Sequence, residues 1–441
     1  MSIHITPQTA LITESRTIRA EGLAKGSARL VASMEKSDGS YHAGTAIFSV
    51  GQDGILDLSQ KAPITGDWTE ADPMAPVWSM RRIRVPSVPQ KSAEPDDTVV
   101  HITITDASGA VHHSSFTQTF FAPGVTRREI DYPGLVGTVF FPAGPGPHPV
   151  VLGLNGSNGG MPLQRSALYA ANGYIAVALA FFGAPGLPDY FGATPLEYFE
   201  KALQWIKKTL QPRDEFIAVA GSSRGGELSM LLGSYFPEHI RAVIGFVPSA
   251  VVNGIQQAGA PGEPRDAPAW TFEGNPIPNL WRDNPDADVA GYSRPEIPGT
   301  PIRQSRVFMT ALRNKEFLEK ARIPVERING PVLMVTGGDD GCWPSSLFAN
   351  MIKERLEKSG HPWPVTHLCR EKAGHMFSFP YVPVEQTVGV SPRSGMLMDR
   401  GGTIPENAAF HKEIWPKVME FLREAPEIYK QGKRNRSKGR D

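Results

Sequence analysis

Residues 216–230 read Phe216-Ile-Ala-Val-Ala-Gly-Ser-Ser-Arg-Gly-Gly-Glu-Leu-Ser-Met230, and this sequence specifies a strand, a tight turn and a helix. Residues 217–220 are small and apolar, which predicts a buried strand, and the apolar residues from Leu228 onward predict a helix. Between them, Gly221-Ser-Ser-Arg-Gly225 fits the G-x-S-x-G pattern of a nucleophile elbow. The pattern predicts that Ser223 projects its hydroxyl at the carboxyl edge of a sheet and faces a helix N-terminus. The alternative is a glycine-rich turn that holds a serine by chance.

Length and composition limit the class of the protein. At 441 residues the chain is long for one domain, and its hydrophobic content of 40% suffices for a sizeable core. Lysine plus arginine equals aspartate plus glutamate at 45 each, so no charge excess points to nucleic acid. Cys342 and Cys369 are too few for a disulfide framework and fit a reducing compartment.

No signal-peptide pattern opens the sequence, and no run of about 18 apolar residues is available to span a membrane. We therefore expect a cytoplasmic protein whose partner is a small-molecule substrate and neither a membrane nor a nucleic acid. No spacing of histidine and cysteine indicates zinc, and no Gly-Lys-Ser/Thr follows a glycine-rich loop to bind phosphate. The sequence predicts no metal and no cofactor, and it leaves the oligomeric state open.

The first part of the chain, residues 1–125, is rich in short β segments. Turn sequences such as Lys36-Ser-Asp-Gly39, Gly51-Gln-Asp-Gly54 and Asp106-Ala-Ser-Gly109 separate alternating or β-branched runs. Regular short strands with such turns predict an antiparallel, immunoglobulin-like sandwich. No cluster of catalytic residue types occurs in it, so we interpret this domain as a packing or substrate-shaping unit.

From residue 126 the pattern changes to strands that alternate with helices, which indicates a mostly parallel sheet covered by helices on both faces. Besides the elbow strand, the predicted strands cover 135–141, 150–154, 174–180, 242–247, 332–336 and 365–369. The predicted helices cover 165–172, 194–210, 307–323, 347–359 and 405–422. The sequence thus predicts an α/β-hydrolase domain over residues 126–441.

Two segments interrupt or follow this plan. Residues 254–305 are rich in proline and glycine and are expected to expose the aromatic side chains of Trp270, Phe272, Trp281 and Tyr292. Insertions of this kind are typical of lids or binding loops, and the alternative is a surface loop with no role. The basic tail, residues 430–441, is expected to be disordered and solvated.

A serine nucleophile needs a base, and the base needs an acid that orients it. In this fold the chain order is serine, then aspartate or glutamate, then histidine. The predicted strand at 332–336 is followed by Asp339 and Asp340, of which Asp340 is favoured and Asp339 remains an alternative that would hydrogen-bond the turn. The predicted strand at 365–369 is followed by the loop that carries His375. Ser223, Asp340 and His375 are therefore the candidate catalytic residues.

Other nucleophiles and bases fit less well. His367 lies within a predicted strand, whereas His361 and His411 belong to a helix end and a helix. Cys342 lies on the loop of the acid and away from any elbow, which indicates an inert thiol.

An oxyanion hole requires two backbone N–H donors. The amide of Arg224, directly after the nucleophile, is the first candidate. The second is expected in the glycine-rich loop 156–160, where Asn158 and Gly159 are the favoured donors. The alternative for this loop is a plain glycine turn.

Several short segments, taken together and in order, carry a resemblance to a known family. They are Asp57-Leu-Ser, Asp72-Pro-Met74, Trp78-Ser-Met80, Phe121-Ala-Pro-Gly-Val125, Gly173-Tyr-Ile-Ala-Val-Ala-Leu-Ala180, Leu196-Glu-Tyr-Phe-Glu200, Gly221-Ser-Ser-Arg-Gly-Gly-Glu-Leu228, Asp339-Asp-Gly-Cys-Trp-Pro-Ser345 and Gly374-His375. Over most of its length, except residues 254–305 and the tail, the chain resembles the acyl-CoA thioesterases grouped with bile acid-CoA:amino acid N-acyltransferase.

The resemblance implies an N-terminal β-sandwich, a C-terminal α/β-hydrolase domain and a triad of Ser223, Asp340 and His375. The family's acid lies three positions before a tryptophan, here Trp343, and the acyltransferase branch uses a cysteine where this chain has serine. The implied activity is therefore hydrolysis of acyl-CoA to free acid and CoA. A carboxylesterase and an amino acid N-acyltransferase are the alternatives, and a non-catalytic binding protein of the same fold is a more distant one. The usual Asp-x-x-Gly opening of the oxyanion loop is replaced by Asn155-Gly-Ser-Asn.

Overall fold

A computed structural model of the protein describes residues 2–85, 93–384, 387–391 and 395–438. The chain divides into two compact units. The first comprises Met1–Ala122, Ser378–Gln386 and Ile404–Trp415, and the second comprises Pro123–Phe377, Thr387–Thr403 and Pro416–Asp441. The sequence placed a single boundary after residue 125, and the structure corrects this for the two later segments of the first unit. They join it because Val384 and Ala408 are buried in its core and Gln118 Nε2 donates to Tyr381 O at 2.9 Å.

The first unit consists mainly of β-strands, as its alternating sequence predicts. Its strands are β1 (Ser2–Thr6), β2 (Thr9–Leu11), β3 (Thr17–Glu21), β4 (Gly26–Glu35), β5 (Tyr41–Val50), β6 (Leu56–Asp57), β7 (Thr65–Gly66), β8 (Arg81–Arg84), β9 (Thr98–Thr105) and β10 (Val111–Thr119), with a short helix α1 (Ala75–Trp78). They form a three-stranded sheet in the order β1-β3-β6 and a seven-stranded sheet in the order β2-β10-β9-β4-β5-β7, where β8 also pairs with β5. All pairs are antiparallel except β2 with β10. Alternate residues of both sheets meet in one buried core, which makes this unit a sandwich.

The second unit is organised around an eight-stranded sheet. Its strands are β11 (Thr126–Glu129), β12 (Val136–Phe141), β13 (Val150–Leu154), β14 (Ile175–Ala180), β16 (Ile217–Ser222), β17 (Ala242–Phe246), β20 (Val332–Gly337) and β21 (Val365–Arg370), in the order β11-β12-β14-β13-β16-β17-β20-β21. Strand β12 is antiparallel to both of its neighbours, and the strands from β14 to β21 are parallel. The continuous apolar sequences of β13, β14, β16, β17 and β20 suit strands that are buried on both faces.

Helices and small strands complete this unit. They are α2 (Leu163–Ala171), β15 (Thr194–Pro195), α3 (Leu196–Trp205), α4 (Arg224–Tyr235), β18 (Trp270–Phe272), β19 (Asn275–Pro276), α5 (Ser305–Ala311), α6 (Lys315–Ala321), α7 (Ser345–Lys358), β22 (Val388–Val390), β23 (Leu397–Asp399) and, from Pro416 onward, the long helix α8 (Ile404–Lys438). The strand order, the antiparallel second strand and the strand-to-helix turn at the central β16 together make this an α/β-hydrolase domain, as the sequence predicted.

Residues 254–305 differ from their prediction. Trp270, Trp281 and Tyr292 are buried in the core of the second unit, not exposed. The reason lies in their polar atoms, because Trp270 Nε1 donates to Glu227 at 2.8 Å and Trp281 Nε1 donates to Asn253 Oδ1 at 3.0 Å. With buried acceptors available, the large rings are stabilised by full burial. The segment is therefore a packed part of the domain, and its role as a lid or binding loop stays a prediction.

The C-terminal tail also differs from its prediction. Helix α8 does not end near residue 422 but continues to Lys438, and residues 439–441 lie outside the described part of the chain. Tyr429 stacks on Trp363 with ring centroids 5.9 Å apart, and Lys430 pairs with Asp214 at 3.0 Å. These contacts fix the start of the tail, for which the composition alone predicted disorder. None of the helices in the described residues has the length and apolarity needed to cross a membrane.

Replacing Trp281 by alanine should therefore destabilise the protein strongly. The substitution removes a buried aromatic ring and leaves Asn253 Oδ1 without its indole donor, a change that typically costs about 3–5 kcal/mol. Guanidinium denaturation followed by circular dichroism measures the effect. Tyr190→Ala is the control, because Tyr190 is 46% exposed. Equal denaturation midpoints for the two variants would contradict the burial of residues 254–305.

Candidate active site

The turn between β16 and α4 holds Ser223 in a strained backbone conformation, with φ of 58° and ψ of −119°. Both flanking positions require glycine for steric reasons. A Cβ at Gly221 would collide with the carbonyl of Gly225, and a Cβ at Gly225 would lie 2.5 Å from Asn155 O. The amide of Ser223 donates to Phe246 O at 2.9 Å, which fixes the turn to the neighbouring strand. The strained, non-glycine residue at the strand end has the geometry of a nucleophile elbow.

The structure brings the three predicted catalytic residues into one hydrogen-bonded chain. Ser223 Oγ lies 2.9 Å from His375 Nε2, and His375 Nδ1 lies 3.0 Å and 2.9 Å from the two carboxylate oxygens of Asp340. A carboxylate only accepts hydrogen bonds, so Nδ1 carries the imidazole proton and Nε2 accepts from the serine hydroxyl. Asp340 and His375 are buried, and Ser223 is partly exposed. This arrangement can activate the serine oxygen as a nucleophile.

The Asp340 carboxylate is held in place by its own loop. Its Oδ1 accepts from the amides of Cys342 at 2.9 Å and Trp343 at 3.2 Å, and its Oδ2 accepts from Ser345 Oγ at 2.6 Å. The rings of Trp343 and His375 pack in a T-shaped arrangement, with centroids 5.8 Å apart. Three donors besides the histidine therefore fix the acid in the orientation that the imidazole requires.

A segment that the sequence analysis missed joins the loop of the acid to the loop of the base. The carbonyl of Arg400 accepts from the amide of Gly341 at 3.1 Å and from the amide of His375 at 2.9 Å. Gly401 has a positive φ of 79°, and a Cβ there would collide with Asp339 O. The Gly401-Gly402 pair was the available signal, because adjacent glycines often mark a close approach of backbones.

The rival acid and bases have other roles. Asp339 is 47% exposed at its side chain and accepts from Arg303 Nη2 at 2.6 Å and from the amide of Gly402 at 2.8 Å, so it stabilises the loop. His367 contacts Thr336 Oγ1 at 2.7 Å through Nε2, and its burial lowers its pKa. The ring of His361 contacts Gly330 O at 3.0 Å. His411 is buried in the part of α8 that belongs to the first unit.

The oxyanion loop needs a correction. Arg224 is the first residue of α4, and its amide has no acceptor within the helix, which suits the predicted donor role. The amide of Gly159, however, donates to Gly156 O at 3.1 Å, and Asn158 is exposed on the turn. Gly156 is the loop residue beside the nucleophile, since a Cβ on it would lie 3.3 Å from Ser223 Cβ and 3.7 Å from Arg224 N.

The second oxyanion donor therefore shifts toward the start of the loop. Within the described residues, the amides of Gly156 and Ser157 donate to no acceptor of the protein. The amide of Gly159 is used inside the loop to close the turn with Gly156 O, which the glycine pattern alone did not reveal. Gly156 and Ser157 replace Gly159 as candidate donors, and Asn158 stays a prediction that the structure does not test.

One cluster deserves comparison with a metal site. Asp340, Cys342 and His375 offer ligand atoms that lie within 4.8 Å of one another. Metal binding by cysteine requires the thiolate, and burial together with the charge of Asp340 raises the pKa of the Cys342 thiol. Asp340 and His375 also hydrogen-bond to each other, so His375 Nδ1 and the Asp340 carboxylate already have partners. The donor set fits proton transfer better than metal binding, and Cys342 has the character of an inert thiol.

Comparison with known proteins relates both parts of the chain to one family. Residues 13–132 match the family description "Acyl-CoA thioester hydrolase/BAAT N-terminal region", and residues 194–427 match "BAAT / Acyl-CoA thioester hydrolase C terminal". The chain is 27% identical to acyl-coenzyme A thioesterase 1 of Rattus norvegicus, over 89% of this chain and 88% of that protein. It is 26% identical to the rat protein named acyl-coenzyme A thioesterase 2, mitochondrial, over 93% and 86%. It is 24% identical to acyl-coenzyme A amino acid N-acyltransferase 2 of Mus musculus, over 95% and 96%.

Proposed function

The chain belongs to the family of acyl-CoA thioester hydrolases and BAAT, an enzyme family, and on this premise we propose that it hydrolyses acyl-CoA thioesters with Ser223 as the nucleophile. The observation that carries the proposal is the chain of hydrogen bonds from Ser223 Oγ through His375 to Asp340. A cytoplasmic location, expected from the sequence, belongs to the same proposal.

The first half of the reaction forms an acyl-enzyme. His375 Nε2 takes the hydroxyl proton as Ser223 Oγ attacks the thioester carbonyl carbon, and Asp340 stabilises the imidazolium. The amide of Arg224, with those of Gly156 and Ser157, faces the oxygen that becomes negative. The tetrahedral intermediate then breaks its carbon–sulfur bond, and the departing CoA thiolate receives the proton from His375.

The second half of the reaction releases the acid. Water gives a proton to His375 Nε2 and attacks the ester carbonyl of the acyl-enzyme. Collapse of this second intermediate returns the proton to Ser223 Oγ and frees the carboxylic acid. Each half uses the same histidine first as base and then as acid.

Labelling and a substrate panel test the proposal. A fluorophosphonate probe should label wild-type protein and leave Ser223→Ala unlabelled. Purified wild-type protein should hydrolyse acyl-CoA substrates of graded chain length with kcat/KM at least tenfold above that for matched simple esters. Turnover of esters alone would favour the carboxylesterase alternative, and absence of both labelling and turnover would favour the binding protein.

The amino acid N-acyltransferase is the second candidate, because one of the similar proteins carries that name. A serine ester reacts less readily with amines than a cysteine thioester does, so the oxygen nucleophile favours water as the acceptor. With an acyl-CoA and excess glycine or taurine, we expect wild-type protein to yield almost only free acid. Ser223→Cys should hydrolyse more slowly and shift the product ratio toward the amide. Chromatography of the products measures the ratio, and mostly amide from the wild type would make the acyltransferase the correct assignment.

A further inference from the structure

An ion pair with no exposure to solvent lies directly beside the nucleophile. The side chains of Arg224 and Glu227 are both 0% exposed, and Arg224 Nη1 lies 2.8 Å from Glu227 Oε1 and 2.9 Å from Oε2. Both residues belong to the first turn of α4, the helix that follows Ser223. Burying two charges costs several kcal/mol per ion before their attraction is counted. Apolar residues of similar volume often stabilise a core at least as much as a buried ion pair does. The proposed reaction uses neither side chain, so the pair needs another explanation.

Every partner of the Glu227 carboxylate is a hydrogen-bond donor. Besides Arg224, its Oε1 accepts from Trp270 Nε1 at 2.8 Å and its Oε2 accepts from Asn253 Nδ2 at 2.8 Å. Asn253 in turn accepts from Trp281 Nε1 through Oδ1 at 3.0 Å. Only a carboxylate offers two acceptor oxygens at this place, since the amide of glutamine replaces one acceptor by a donor.

The guanidinium of Arg224 connects the same turn to two other segments. Its Nη2 donates to Gly254 O at 2.7 Å and its Nη1 approaches Asn253 O at 3.4 Å, which joins it to the start of the 254–305 segment. Its guanidinium carbon lies 5.3 Å from the ring centroid of Phe191. Phe191 also packs edge-on against Trp270, with centroids 4.7 Å apart.

We propose that Glu227 is a positioning residue for the oxyanion hole. It fixes Arg224 against Asn253 and Gly254, and it thereby holds the Arg224 amide at the distance from Ser223 that the developing oxyanion requires. The segment 253–281, in which Asn253, Trp270 and Trp281 are buried, acts as the support for this contact and is anchored to the same carboxylate by the Asn253 amide and the Trp270 indole. The inference rests on the proposed function, because it assigns a task to the amide that follows the nucleophile.

Glu227→Gln should lower kcat with little change in KM. The variant keeps the shape of the side chain, but its amide NH₂ group faces one of the donors that the carboxylate accepted from. It also leaves Arg224 without its counter-charge. A misplaced catalytic group commonly costs about 10²-fold in rate, and we expect a loss of roughly 10–100-fold in kcat with KM within about threefold. The rate of fluorophosphonate labelling at Ser223 should fall in parallel, because the probe forms a tetrahedral adduct in the same hole.

Matched variants separate positioning from simple stability. Glu326→Gln is the control, since it removes the ion pair with Arg355, with contacts of 2.6 Å and 2.9 Å, at a place that no catalytic loop uses. It should keep wild-type kcat. The double variant Arg224→Met/Glu227→Leu removes both charges but leaves Trp270 Nε1 and Asn253 Nδ2 without an acceptor, so its denaturation midpoint should stay below that of the wild type and its kcat should stay low.

The outcomes discriminate between the two proposals. If the folded double variant keeps wild-type kcat while its midpoint falls, the pair is purely structural and the inference is wrong. If Glu227→Gln does not fold, the kcat of the double variant decides alone: a low value supports the inference, and a wild-type value contradicts it. If Ser223→Ala is inactive and Glu227→Gln turns over at the wild-type rate, the inference fails and the proposed function stands. If Ser223→Ala keeps wild-type turnover, the proposed function itself fails.

Discussion

Ser223→Ala and His375→Ala are each expected to lower kcat for acyl-CoA hydrolysis by about 10⁴-fold or more. The first removes the oxygen that lies 2.9 Å from His375 Nε2, and the second removes the only base in contact with that oxygen among the described residues. Asp340→Asn should cost roughly 10⁴-fold as well, because its amide would favour the wrong imidazole tautomer. Thiol release from acyl-CoA, followed with a thiol reagent, measures all three.

The three losses should not add. Because the residues act as one unit, the double variant Ser223→Ala/His375→Ala should be no slower than the slower single variant. Asp339→Asn is the matched control for Asp340→Asn, since Asp339 carries the same side chain on the same loop and pairs with Arg303 instead of the histidine. It should keep kcat within about threefold. Near-normal turnover by a folded Ser223→Ala protein would contradict the mechanism.

The elbow and the order of the candidate triad were predictable because each depends on local sequence or on strand order. Gly221 and Gly225 are required by backbone contacts inside one turn, so the motif itself carries the information. The carboxyl ends of parallel strands lie at one edge of the sheet, which is why loops after β20 and β21 meet the elbow. Asp340 and His375 could therefore be placed near Ser223 without any knowledge of long-range packing.

Other parts depend on partners that are distant in the sequence. Trp270 and Trp281 seemed exposed because their segment is rich in proline and glycine, but their buried acceptors lie on Glu227 and Asn253. The Arg400 carbonyl joins two loops through backbone atoms, which leave no side-chain pattern to read. The continuation of α8 likewise depends on contacts such as Trp363 with Tyr429. Composition reports the local tendency of such segments, and the tertiary contacts override it.

Gly156→Ala is the second substitution with a large expected effect, a loss of about 10²–10³-fold in kcat. A Cβ at this position would lie 2.8 Å from Ser222 O and 3.3 Å from Ser223 Cβ. Neither neighbour is a flexible side-chain end, so the loop must move away from the nucleophile. That movement withdraws the amides of Gly156 and Ser157 from the developing oxyanion, and a donor of this kind is typically worth about 3–4 kcal/mol.

The change should appear in kcat and hardly in KM, because the negative charge on the oxygen develops on the way to the transition state and is absent from the bound substrate. Gly192→Ala is the control, since the nearest atom to a Cβ there is at 3.5 Å, an ordinary contact. Circular dichroism should confirm that both variants are folded, and single-turnover acylation should be slowed in Gly156→Ala alone. If the folded variant acylates within twofold of the wild-type rate, Gly156 does not border the oxyanion hole. The second donor would then have to come from elsewhere in the loop, with the exposed Asn158 as the remaining candidate of the original prediction.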